Sequence, residues 1–175
     1  MTRKFRIFAL VSGLIAAGTA AQAQGDTGCG IRLDRVWAGA PEITATAETR
    51  CDLAGHVMAR LSFVNHAGEI LDETSYPTDQ VMSLAWVDAE FPMESALDDW
   101  LAALSYADTT ANLPYFQDDS EFPFLPAEGM SREAYDNLRA SAAPMVCYVQ
   151  GMESQRCLAL VDGALIEVGL QTFPG

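Results

Sequence analysis

Apolar and polar positions alternate with a period of two over several stretches of the N-terminal half. Ile31, Leu33, Arg35 and Trp37 alternate with Arg32, Asp34 and Val36, an imperfect strand pattern that Gly39-Ala40-Pro41 interrupts. Residues 43–49, rich in threonine, form a second strand candidate leading into Cys51. The clearest alternation covers 56–65, with Val57, Ala59, Leu61 and Phe63 on one face and His56, Met58, Arg60 and Ser62 on the other. Asn65-His66-Ala67-Gly68 reads as a turn, and 69–76 returns as a strand that Pro77 ends, so a hairpin is predicted here.

The period changes to a helical one at 94–104. Leu97, Trp100, Leu101 and Leu104 follow the i, i+3, i+4, i+7 spacing of a single apolar stripe. Pro92 suits the entry, and Glu94 meets the positive end of the helix dipole. Asp98 and Asp99 fall off the stripe and read as a solvated face. A second helix is predicted from a Ser131 cap to about Ala142, with Glu133 in its first turn and Pro144 closing it. The tail then reads as a three-stranded meander over 145–150, 155–161 and 164–170, with Asp162-Gly163 as a two-residue hairpin turn. Segregated strands and helices, with neighbouring strands joined by tight turns, predict a single α+β domain. Its largely antiparallel sheet comprises an N-terminal hairpin plus the C-terminal meander, and two helices lie on one face.

Between the two helices, residues 106–130 show no periodicity. A loop of that length in a compact domain is often functional. It carries Tyr115, Phe116, Phe122 and Phe124 beside the acids Asp118, Asp119 and Glu121, which together form the candidate binding loop. Its aromatics argue against simple disorder; they either pack the loop onto the core, which is the favoured expectation, or present a contact surface. Asp118-Asp119-Ser120-Glu121 offers oxygen ligands suited to calcium, but it lacks the residue order of an EF-hand loop, and no metal is expected.

The first residues change the picture of where the chain works. Arg3, Lys4 and Arg6 precede an apolar run from Ile7 to Ala17, and Ala21-Gln22-Ala23 follows it. A charged start, a short apolar core and a small-residue exit form a secretory signal peptide, expected at 1–23. The run is well short of the ~20 residues of a membrane-spanning helix. Cys29 stands far beyond the apolar core, which speaks against a lipid anchor, and no second apolar stretch is long enough for membrane insertion. Residues 24–175 then form one acidic periplasmic or secreted domain of ordinary single-domain size. Three of the ten basic residues lie in the leader, so seven arginines face 24 acids in the remainder, a net charge of −17 with no lysine. Such a domain repels phosphate backbones and anionic membranes, which excludes nucleic acid as an expected partner.

Four cysteines in an exported chain favour disulfides over metal or free thiols. Cys29–Cys51 and Cys147–Cys157 are the expected pairs, since each is close in sequence and the predicted meander sets the second pair opposite each other. The sequence contains no H-E-x-x-H, G-x-S-x-G, G-x-G-x-x-G or P-loop. No catalytic residue and no cofactor is assigned, and His56 and His66 read as surface groups. The leading expectation is a non-enzymatic binding module for a basic envelope or secreted protein. A small periplasmic hydrolase with a carboxylate or histidine site, and a structural envelope component, are the alternatives. Expression in a host with a periplasm is expected to yield a chain beginning at Gln24, and intact-mass measurement of the purified protein checks this.

Overall fold

The computed structural model describes residues 28–116 and 119–174. The expected leader and Asp118 lie outside the described residues. The described residues form an α+β domain with two antiparallel sheets, two α-helices and two disulfides. The first sheet is a four-stranded meander of β1 (Arg32–Val36), β2 (Ile43–Cys51), β3 (Val57–Asn65) and β4 (Ile70–Pro77). The predicted hairpin is its β3–β4 half, with a bulge between Phe63 and Val64. Helix α1 (Met93–Trp100) continues as a 3₁₀ segment, Leu101–Ser105, so the apolar stripe predicted as one helix spans both. Within the long loop lie two short strands, β5 (Asp108–Thr109) and β6 (Phe124–Pro126). Helix α2 (Arg132–Ser141) follows, and the Ser131 hydroxyl caps it by accepting from the Ala134 amide at 3.1 Å. The meander of β7 (Pro144–Val149), β8 (Ser154–Val161) and β9 (Ala164–Thr172) completes a second sheet in the order β5-β7-β8-β9-β6.

The turn chemistry matches the residues. Asp162 and Gly163 both have positive φ, 49° and 81°, as a two-residue hairpin of the mirror-image type requires. Gly169 sits at φ 154° where β6 crosses β9, and a Cβ there would fall 2.7 Å from a ring carbon of Phe124. Only glycine lets β6 come that close.

Side chains from the two faces of the second sheet feed two clusters. Val146, Tyr148 and Leu158 face the first sheet and join Leu61, Phe63, Leu97, Trp100, Leu101 and Leu104 in the main core. Met145, Cys157, Ala159 and Val168 point the other way and pack with Tyr135 and Leu138 of α2. Helix α1 contacts β1, and its 3₁₀ continuation contacts β1, β2 and β7, whereas β4 and β9 meet directly. The two sheets therefore form a wedge, closed along β4–β9 and propped open by α1. Alanines at inward positions 45, 47 and 59, all buried, let the large side chains of α1 approach the first sheet.

Polar contacts close the narrow side of the wedge. Arg156 of β8 grips Asp72 of β4 with both ends of its guanidinium, Nη1 to Oδ2 at 2.8 Å and Nη2 to Oδ1 at 3.1 Å. It also donates to the hydroxyls of Thr74 and Tyr148 and, through Nε, to Glu167 at 2.8 Å. Burial disfavours its charge, but the bonds to Asp72 and Tyr148 outweigh that and raise its pKa. Burial and the neighbouring Tyr76 push the Tyr148 phenol well up, so it stays protonated. Tyr76, Trp100 and Tyr148 meet edge to face at 6.0–6.5 Å between ring centres, and Trp100 Nε1 donates to the Val149 carbonyl at 2.6 Å. The hub thus runs from β8 through β4 to α1.

Candidate functional site

Two adjoining grooves lie at one end of the first sheet, where the β2–β3 turn, the exit of β4 and the loop entering α1 converge. A groove of about 490 Å³ is lined by Gly28, Val57, Thr78, Val87, Pro92 and Met93, among others. A second, of about 410 Å³, adjoins it through Val57 and Thr78 and reaches Asp52, His56, Met58 and Asp79. Both volumes fall in the range of sites that take small ligands or side chains. The floor is apolar and the rim acidic, with Asp52, Asp79 and Asp88 lining the two grooves. Trp86, next to Val87, is 74% exposed, and Met82, Val87, Phe91 and Met152 are also exposed. Met82 is joined to the Met152 turn by its amide, which donates to the Gly151 carbonyl at 3.2 Å.

Local bonds shape each wall. The Asp88 carboxylate accepts from the amides of Glu90 and Phe91, both at 2.8 Å, which holds the Trp86 loop in a closed turn. The Asp52 carboxylate accepts from the amides of Ala54 and His56, and its second oxygen contacts His56 Nδ1 at 3.0 Å. The His56 amide, then its ring, hold the Asp52 carboxyl below its usual range. Thr78 is buried and donates its hydroxyl to the Val57 carbonyl. The Cys29–Cys51 disulfide ties two walls together, since Gly28 precedes one cysteine and Asp52 follows the other. Gly28 has φ 70°, and a Cβ there would press on Met93 at 3.3 Å.

Chemically, Asp52 orients His56 beside the second groove, as an acid orients a histidine base. The hydroxyl lining that groove is Thr78, whose proton is already donated to the Val57 carbonyl. His66 lies exposed in the β3–β4 turn. Among the described residues no cluster of three or more metal-ligating side chains occurs, and no helix is long and apolar enough to cross a membrane.

The residues singled out on the long loop are divided by the structure. Phe124 is buried, and Phe116 and Phe124 pack on Tyr135 of α2 with ring centres 5.5 and 6.0 Å away. The Arg132 guanidinium covers Phe116 and that of Arg139 covers Tyr115, 5.5 and 4.7 Å from the ring centres. Asp119, Glu121 and Phe122 are exposed, while the Phe122 carbonyl accepts from Gln171. The loop's aromatics are thus largely committed to α2. Its described acids, Asp119 and Glu121, line neither of the two grooves.

The Trp86 surface escaped the periodicity reading because 78–92 alternates with neither period. The available signal was compositional: Trp86, Val87 and Phe91 interleave with Asp88 and Glu90 between Pro77 and Pro92. Of the four cysteines, Cys147 and Cys157 sit directly opposite in the β7–β8 register and bridge there, away from the grooves. No protein family, no characterised protein and no solved structure matches this chain.

The placement of the Cys29–Cys51 bridge makes a local prediction. Replacing both cysteines by alanine should cost about 2–4 kcal/mol of stability. In hydrogen-exchange mass spectrometry, amides of 28–31 and 51–56 should exchange faster while β7–β9 stay protected. Uniform acceleration across both sheets would show that the bridge supports the whole fold rather than this end.

Proposed function

We propose that the chain is an exported, non-enzymatic binding module that engages a cationic protein partner through the Trp86 surface. The carrying observation is the fate of its positive charge. Every arginine outside the leader is engaged within the fold. Arg32 pairs with Asp34, Arg35 with Asp98, Arg50 and Arg60 with Glu48, and Arg156 with Asp72 and Glu167. Arg132 and Arg139 cover aromatic rings. The hydrogen bonds from Arg50, then Arg60, hold the Glu48 carboxyl down at about 2. Seven arginines against 24 acids leave a large uncompensated negative charge, and the bases that could screen it are turned inward or tied down.

Two further features support this reading. A large exposed aromatic beside apolar neighbours is the composition of an interface anchor rather than of an ordinary solvated loop. Two disulfides and the leader pattern fit an oxidising compartment outside the cytoplasm. Long-range attraction to a basic partner speeds encounter, and the aromatic surface supplies the contact that resists dissociation.

The test is affinity capture from envelope extract with C-terminally tagged protein lacking residues 1–23, read by mass spectrometry at low and high salt. A stoichiometric basic partner is expected at low salt and should be depleted at high salt, where screening shortens the reach of charge. Trp86→Ser should lower its affinity by about 2 kcal/mol or more, as loss of an aromatic anchor does. Absence of any stoichiometric partner at either salt overturns the reading.

A further inference from the structure

We infer that the two adjoining grooves take an arginine- or lysine-rich segment of the partner, with one cationic side chain over Trp86 and others among Asp52, Asp79 and Asp88. This deepens the binding-module reading and rests on it. The floor of the trough is apolar, formed by Val57, Met58, Val87, Pro92 and Met93. The methylene stems of lysine and arginine bury well on such a floor while their charged heads reach outward. The rim supplies the matching groups. Asp79 and Asp88 appear in no ion pair among the described residues, and the one basic group lining the trough, His56, is held by Asp52. An exposed indole offers a face for a guanidinium or ammonium.

Other occupants fit the trough less well. A second copy of this chain would bring a net charge of −17 against −17, and an acidic peptide or nucleic acid meets the same repulsion. A neutral apolar peptide would fill the floor but leave the rim carboxylates to be desolvated without partners. A cationic segment alone satisfies both floor and rim.

The test uses the protein from Gln24 onward and a short fluorescent peptide of alternating arginine and glycine, with a glutamate–glycine peptide as control, followed by anisotropy. The arginine peptide should bind and the glutamate peptide should not. Asp79→Asn with Asp88→Asn should weaken binding at least about fivefold, in line with losing charged partners at an interface. Asparagine at 88 keeps the oxygen that accepts from Glu90 and Phe91, so the loop is retained, and unchanged amide hydrogen exchange over 88–91 checks it. Asp119→Asn with Glu121→Gln removes the same charge elsewhere and should leave affinity unchanged. Equal weakening by both pairs would mean general attraction to an acidic surface and would overturn the inference. If the groove pair leaves both peptide binding and envelope capture intact while Trp86→Ser abolishes capture, the inference fails and the module reading stands. If peptide binding depends on the groove but nothing is captured from envelope extract, the trough stands and the module reading falls.

Discussion

The arrangement of this domain depends on one largely, though not fully, buried guanidinium. Arg156 projects from the inward face of β8, in line with Leu158 and Leu160, where an apolar residue would be expected. It is accepted there because its donors are satisfied from both sheets: Asp72 and Thr74 of β4, Tyr148 of β7 and Glu167 of β9. Its side chain is only 14% exposed and that of Asp72 17%, so each charge is largely desolvated and needs the other. A planar fork gripping a carboxylate at two points also fixes direction, which nonspecific packing does not. It thereby sets how β4 lies against the second sheet. Tyr148 passes the constraint to Tyr76 and Trp100, and Trp100 places α1. The first residue of α1, Met93, forms part of the trough wall, so the geometry of the surface traces back to the hub.

Charge divides the molecule into two roles. On the outer face of the first sheet, Glu48 sits directly across from Arg60, and Arg60 also reaches Glu73. Those acids are neutralised locally and contribute little attraction at a distance. At the trough end Asp52, Asp79 and Asp88 form no ion pair with an arginine among the described residues, the floor is apolar, and exposed Trp86 stands two positions before Asp88. On the proposed binding-module reading, the excess of acid would draw a basic partner to that end, where contact area is available. The Cys29–Cys51 bridge holds that end closed on the side where β1 begins. Hydrogen bonds of Gly30 and Ile31 to Thr49 continue the β1–β2 ladder up to it.

Much of the strand architecture was legible in the sequence because it is local. Alternation at 57–63, the Asp162-Gly163 turn and the facing cysteines each specify a neighbour pairing without reference to the rest of the chain. Ser131 and the stripe from Leu97 to Leu104 placed the helices for the same reason. What local pattern does not carry is which strands share a sheet. β4 and β7 are separated by the whole helical region, so the division into two sheets follows from tertiary packing. Arg156 and Asp72 lie in strands whose pattern, read alone, sends polar residues outward; their burial depends on each finding the other. The trough was hidden because its walls come from four separate segments, and Trp86 lies in a stretch with no period. The aromatic content of 106–130 favoured packing of that loop, and Tyr135 of α2 is the partner that receives Phe116 and Phe124, which the sequence did not identify.

The claim that the hub locks the two sheets is tested most directly by a double-mutant cycle on Asp72→Leu and Arg156→Met, read by denaturant unfolding. Each single change should cost about 3–5 kcal/mol, because it leaves the other charge buried without its partner. The double variant should lose far less than the sum of the two, since neither charge then remains to be stranded. Additive losses would contradict the account and would mean that apolar packing alone holds the sheets together.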